Sequence, residues 1–208
     1  MRRVAIRDVY LAALLLVLLA IASAWLLAAD ISEFALLAAR YTARVGFVAF
    51  AVTYLVGPAS GLWPESFFRR LLPVRRHLGL ATAYLMGIHL VALAINVGFF
   101  RPRTPESMVA GGLVYVAIAL LAATSNNASQ RAMGKWWRRL HFIGVHAVLV
   151  TFLVSYSGRI FTPGYFWTGA IFAPLVASLL LVRIAAWMKR TRQPGASPAT
   201  SREPSPLQ

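Results

Sequence analysis

Residues 9–29, VYLAALLLVLLAIASAWLLAA, form an uninterrupted apolar stretch of 21 residues without a charged side chain. At about 1.5 Å per residue, a helix of this length crosses the roughly 30 Å hydrocarbon core of a bilayer. Five further apolar blocks follow, at residues 45–62, 78–99, 108–123, 140–156 and 167–188. None shows the two-residue alternation of a membrane β-barrel. The sequence therefore predicts an all-α integral membrane protein with six transmembrane helices, of which the fourth is the shortest.

The composition supports a membrane protein and narrows its chemistry. Hydrophobic residues make up 59% of the 208 residues and charged residues 13%, whereas a soluble domain has about 45–50% and about 25%. The absence of cysteine excludes disulfides, iron–sulfur clusters and thiolate zinc sites. Only six Asp and Glu are present, which disfavours catalysis by paired carboxylates. Histidine, with four residues, is left as the candidate metal ligand.

The net charge of +15 is explained by membrane topology. Five basic residues fall on one side of the predicted spans, namely Arg40, Arg44, Arg101, Arg103 and Arg159. Arg183 lies within the sixth block, and the remaining 15 Lys and Arg fall on the other side. The positive-inside rule then places both termini in the cytoplasm. Because the charges cluster between apolar blocks, we expect contact with anionic lipid and no nucleic-acid partner.

Three regions are predicted along the chain: a cytoplasmic N-terminus at residues 1–8, a six-helix domain at 9–188 and a disordered cytoplasmic tail at 189–208. The first block follows a basic start, as in a signal peptide, but exceeds the usual 7–15 apolar residues, so we expect it to be retained. The tail is rich in Pro, Ser, Ala and Thr. No glycine-rich dinucleotide motif or Walker lysine is present, so no catalytic domain is predicted.

The four histidines occur in pairs on two predicted helices, His77 and His89 in the third and His141 and His146 in the fifth. Ionisable groups inside membrane helices are functional candidates, and imidazole is a standard axial ligand of haem iron. We therefore predict that haem lies between these helices, with the four histidines as candidate ligands. The two helices run parallel, which places His77 and His141 at similar depth. His89 lies about 18 Å beyond His77, and His146 about 7.5 Å beyond His141.

Other interpretations of these residues remain open. His77 can be an interfacial residue beside an arginine cluster, and His146 can bond to a facing helix. Four arginines adjoin the histidines and are candidates for charge-assisted bonds to haem propionates; they are Arg75, Arg76, Arg138 and Arg139. The alternative is that they are the ordinary positive charges of cytoplasmic loops.

Residues 75–89, RRHLGLATAYLMGIH, and 124–141, TSNNASQRAMGKWWRRLH, resemble the ferric-reductase-like transmembrane domain family, and the resemblance covers about residues 40–160. It implies a six-helix b-type cytochrome of the bacterial inner membrane, with one or two haem b groups. The family's ligand positions correspond to His89 and His141. A further family histidine position is occupied by Val154, and a third-helix histidine position of related oxidases is occupied by Arg75.

Within this family, the chain in particular resembles the haem-binding subunits of bacterial periplasmic methionine sulfoxide reductase systems. The resemblance implies an electron-transfer subunit that takes electrons from a flavin reductase or a quinol, with FMN or quinone as a further cofactor. The acceptor would be a periplasmic redox partner. Two alternatives are a terminal ferric or cupric reductase that needs no protein acceptor, and a haem-free transporter or scaffold. We find no internal repeat of the kind common in transporters.

Overall fold

The computed structural model describes residues 4–64 and 66–192, and this part of the chain contains helices and no strand. Its helices are α1 (Ile6–Leu27), α2 (Ile31–Leu62), α3 (Phe67–Leu71), α4 (Arg75–Ile95), α5 (Pro105–Ala123), α6 (Asn127–Met133), α7 (Lys135–Ile160) and α8 (Phe166–Arg192). Within the described residues, six helical segments are long and apolar enough to cross a membrane: α1, α2, Phe67–Phe100, α5, α7 and α8. The predicted all-α, six-span fold is therefore confirmed, and the chain is a multi-pass membrane protein.

The second span begins 14 residues earlier than its apolar block. Asp30 caps the N-terminus of α2 by accepting a hydrogen bond from the Glu33 backbone N–H at 2.8 Å. The following turns bury small alanine side chains, so the helix forms despite its lower hydropathy. Arg40 and Arg44, which we interpreted as loop charges, consequently project from α2.

The third span is part of a longer helical run. The short α3 leads through a 3₁₀ turn, Leu72–Val74, into α4, which continues as a π-helix, Asn96–Phe100. Arg75 and Arg76, predicted to lie in a loop, therefore form the first turn of α4. At the C-terminal end of this helical run, the Arg101 guanidinium donates hydrogen bonds to the side-chain oxygen of Asn96 and to the backbone carbonyl of Ser32.

The last helix also exceeds its predicted limit. It continues through residues 189–192, which we assigned to the disordered tail. Lys189, Arg190 and Arg192 are good helix formers, and their charges complement the negative end of the helix dipole. The rest of the predicted tail, residues 193–208, lies outside the described residues, as do residues 1–3 and residue 65.

Long-range contacts show that successive spans run in alternate directions. The start of α1 meets the start of α4, where Tyr10 and His77 share a hydrogen bond of 3.1 Å. The C-terminal part of α8 meets the C-terminus of α2, where Lys189 donates to the Gly61 carbonyl. We call this the basic end of the bundle, because the basic starts of α4 and α7 and the basic C-terminus of α8 lie here. Arg44 and Thr168 meet towards the opposite end.

The core is built around α2, which packs against α1, α4 and α8. One buried cluster joins α2 to α7 and α8 through aromatic rings, including Phe47, Phe152 and Tyr156. The other cluster joins α1, α2 and α4 through aliphatic side chains. In contrast, none of the side chains of α5 is buried, and this helix packs mainly against α7 and α4.

Removal of the α2 cap is expected to destabilise the protein moderately. In Asp30→Ala, the Glu33 N–H loses its acceptor, and loss of such a cap costs about 1 kcal/mol. Thermal unfolding in detergent, followed by circular dichroism, measures this loss. Thr104 caps α5 without a side-chain hydrogen bond, so Thr104→Ala is the matched control. An equal loss of stability in both variants would contradict the assigned role of Asp30.

Candidate functional site

A cavity of about 650 Å³ lies at the basic end, between α4 and α7. These two helices do not pack closely against each other, and α2, α5, α6 and α8 supply the other walls. Apolar side chains form much of the lining, among them Phe50, Met86, Ile118, Leu121 and Val148. The separation between the third and fifth spans thus leaves a space of the size that organic cofactors occupy in proteins.

His141 lies in the wall of this cavity. Its Nε2 is 3.1 Å from the Thr124 hydroxyl, at the C-terminus of α5. Its ring stacks on Trp137, with ring centroids 4.1 Å apart. The Trp137 indole N–H in turn donates to the Thr124 carbonyl at 2.8 Å. The imidazole is therefore held in place from both α5 and α7.

Three of the four arginines predicted as propionate partners also line the cavity, namely Arg75, Arg76 and Arg138. Arg75 passes close to α2, where an added Cβ at Gly57 would lie 3.3 Å from its guanidinium. Glycine at this position thus leaves room for the arginine. Arg139 does not line the cavity, and its guanidinium lies 4.8 Å from the centre of the Trp136 ring.

Arg183 is a fourth cavity-lining arginine, and it was not among the predicted site residues. It projects from α8 and lies against the rings of Tyr54, at 5.0 Å, and Phe142, at 5.7 Å. The sequence does single out this residue, because Arg183 is the only charged residue within the apolar block 167–188. A charge in such a position is a functional candidate by itself.

The structure does not bring the other histidines into this cavity. His77 turns towards α1 and bonds to Tyr10, so His77 and His141 do not face one another despite their similar predicted depth. The Nδ1 of His146 lies 2.7 Å from the Phe142 carbonyl, and its Nε2 lies 3.5 Å from the Tyr54 hydroxyl. These contacts fit the interpretation of His146 as a residue bonded to a facing helix.

His89 occupies a separate, partly buried position nearer the opposite end. Its Nδ1 lies 3.2 Å from the Thr42 hydroxyl of α2, and its ring lies 6.2 Å from that of Tyr115 on α5. Val154, at the family's further histidine position, is 67% exposed on α7. Within the described residues, no contact places a second imidazole beside His89.

Comparison with known proteins finds relatives of this chain in bacteria of the genus Brucella. No protein-family model matches the chain, and no solved structure matches it. Proteins of Brucella ovis, Brucella canis and Brucella suis, each named protein-methionine-sulfoxide reductase heme-binding subunit MsrQ, are 33% identical to it over 138 residues. The match covers 62% of this chain and 60% of each relative. The chain is therefore similar to MsrQ proteins over more than half its length, which confirms the resemblance predicted from residues 75–89 and 124–141.

Proposed function

We propose that the chain is the haem-binding membrane subunit of an electron-transfer system and holds one haem b in the cavity at the basic end. The observation that carries this proposal is the meeting of His141 with Arg75, Arg138 and Arg183 in one largely apolar cavity. Haem has an apolar macrocycle, two carboxylates and an iron that takes an axial imidazole. The cavity has a chemical partner for each of these parts, and its volume lies within the range of about 300–1,000 Å³ typical of such sites.

The residues of the chain have distinct roles in this proposal. Haem, when bound, supplies a one-electron carrier. His141 provides the imidazole, and Thr124 and Trp137 fix the orientation of its ring. The cavity arginines form charge-assisted hydrogen bonds with the propionates. The apolar side chains of α2, α4 and α5 exclude water, which strengthens these electrostatic interactions.

We propose a single haem because the opposite half of the bundle has fewer side chains that can coordinate haem iron. His89 is partly buried beside Thr42, whereas the further family position on α7 is Val154, which has no ligating atom. His77 and His146 do not line the cavity, and each lies within hydrogen-bond distance of a tyrosine, Tyr10 for His77 and Tyr54 for His146. We therefore assign the axial imidazole to His141 and propose that His89 serves the packing of α2 against α4.

The direction of electron transfer follows from the proposed orientation. We propose that the chain lies in the inner membrane of a bacterial cell and that the basic end faces the cytoplasm, which the positive-inside rule supports. The cavity then lies near a cytoplasmic flavin reductase carrying FMN, or near quinol in the membrane. The acceptor is a periplasmic partner, and the name of the MsrQ relatives supports the catalytic subunit of a methionine sulfoxide reductase.

Haem content of the purified full chain tests this function. We expect about one haem per polypeptide and a reduced-minus-oxidised spectrum of the b type. Colourless protein, after expression with sufficient haem, would exclude a cytochrome. Two haems per polypeptide would contradict the single site. Reduction of metal chelates by cells without any periplasmic partner would instead favour a terminal ferric or cupric reductase.

Arg183→Gln is expected to lower the midpoint potential of the bound haem. A nearby positive charge favours the ferrous state, which carries one positive charge fewer, so its removal shifts the potential down by on the order of tens of millivolts. Potentiometric titration of the purified protein measures the shift. Arg139→Gln removes the same charge from a residue that does not line the cavity and is the matched control. Equal shifts in the two variants would contradict the placement of haem beside Arg183.

A further inference from the structure

Three arginines gather towards the end of the bundle opposite the cavity. Arg40 and Arg44 project from α2, Arg159 lies one residue before the end of α7, and each lies within electrostatic range of the other two. Arg40 donates a hydrogen bond to the Tyr165 hydroxyl, and Arg44 donates one to the Thr168 hydroxyl at 3.3 Å. These contacts place the cluster level with the turn between α7 and α8.

This arginine cluster lacks a counter-ion within the described residues. No described carboxylate lies within ion-pair distance of the three guanidinium groups. Asp30 and Glu33, the acidic residues nearest in sequence, bond to backbone N–H groups at the start of α2. The Nε of Arg44 is buried and has no hydrogen-bond partner. Unpaired charges and donors are costly in a membrane protein, so the cluster has the chemistry of an anion site.

A groove of about 400 Å³ between α1 and α2 reaches Arg44. Its α1 wall consists mainly of aliphatic side chains, including Leu16, Leu19 and Leu27, with Ser23 among them. Tyr41 and Arg44 form the polar part of its α2 wall. Leu19 and Leu27 are more than half exposed, so the groove is open to the surrounding lipid. An apolar groove that leads to a cation matches an amphiphile with an anionic head.

We propose that Arg44 binds the phosphate of a membrane phospholipid and that one acyl chain of this lipid lies against α1 in the groove. A guanidinium can donate charge-assisted hydrogen bonds to a phosphate, and Arg44 brings such a group to the groove. Arg40 and Arg159 leave excess positive charge after one phosphate is bound. The site therefore prefers an anionic headgroup, such as that of phosphatidylglycerol, over zwitterionic phosphatidylcholine. This inference does not depend on the haem.

Lipid titration of the detergent-solubilised full chain tests the site. A ligand that binds the folded state raises the unfolding temperature, so the shift is recorded with phosphatidylglycerol, with phosphatidylcholine and with inorganic phosphate. We expect the largest shift with phosphatidylglycerol, and native mass spectrometry should show it bound. In Arg44→Gln, the apparent lipid affinity should fall roughly tenfold or more, as expected for the loss of a charged hydrogen-bond partner.

Two further variants separate the contribution of the Arg44 charge to lipid binding from that of the groove. Arg103→Gln removes the same charge from an exposed residue that lies within electrostatic range of Arg159 but does not line the groove, and its lipid affinity should fall much less than that of Arg44→Gln. Ser23→Phe keeps every arginine but fills the groove, and it should lose the lipid even if Arg44→Gln fails to fold. Equal effects of the two lipids, or unchanged binding in Ser23→Phe, would overturn the proposal. An equal shift with inorganic phosphate would show a soluble-anion site and would also overturn it.

Discussion

Replacement of His141 by alanine is expected to remove haem from the purified protein, with a fall in haem per polypeptide on the order of tenfold or more. Among the described residues, His141 is the one histidine that lines the cavity. Because an axial ligand holds haem iron, loss of this imidazole should release the haem. The neighbouring Thr124 and Trp137 cannot replace the imidazole, because a hydroxyl and an indole N–H are poor ligands for haem iron. Absorbance of the haem band, relative to protein concentration, measures the result.

His77→Ala is the matched control for this experiment. It makes the same change of side chain at the same end of the bundle, but His77 bonds to Tyr10 on the side facing α1. We expect normal haem content in this variant. Haem loss in His77→Ala with retention in His141→Ala would show that the cavity is not the haem site. A similar loss in both variants would show that the two histidines act together, against the geometry described above.

Gly169→Ala is expected to have the largest effect on stability. Gly169 lies at the start of α8, where a Cβ would be 2.5 Å from the backbone nitrogen of Ile160 and 2.9 Å from the carbonyl oxygen of Tyr156. Because these are backbone atoms of α7, they cannot move aside as a flexible side chain can. Such overpacking typically costs about 1–3 kcal/mol. The change should appear as a lower midpoint of thermal unfolding in detergent.

Gly87→Ala is the control for a glycine within a membrane helix. No atom lies within 4 Å of a Cβ added at Gly87, in α4, and alanine favours a helix over glycine by about 1 kcal/mol. We expect unchanged or slightly higher stability. If Gly169→Ala were as stable as Gly87→Ala, the close approach of α7 and α8 at this point would be wrong.

The fold could be predicted from the sequence because six long apolar segments leave few alternatives in a membrane. Hydropathy located each span, but it did not locate every helix end. Capping by Asp30 and burial of alanines extend α2 outward, and these depend on neighbouring helices. The arginines at positions 40 and 44 therefore belong to a helix, although charge alone suggested a loop.

The candidate site could be predicted only in part. Spacing along a helix gives the depth of a side chain, and the histidines on two helices predicted haem between the third and fifth spans. The structure has a cavity between these spans, lined by His141. Spacing does not give the direction of the side chain, which depends on which helices are neighbours. His77 faces α1 and His141 faces the cavity for this reason. Arg183 was missed because a single charge in the sixth span gave no indication that α8 would reach the same cavity.

The absence of buried side chains on α5 has a consequence for how the proposed haem can enter the cavity. Of the membrane-spanning helices that line the cavity, α2, α4, α7 and α8 each contribute buried side chains to the core, whereas α5 contributes none. Outward displacement of α5 thus disrupts less packing than displacement of any of these other spans. The entry route for insertion during biogenesis would run sideways, from the bilayer past this helix, while the remaining spans stay assembled.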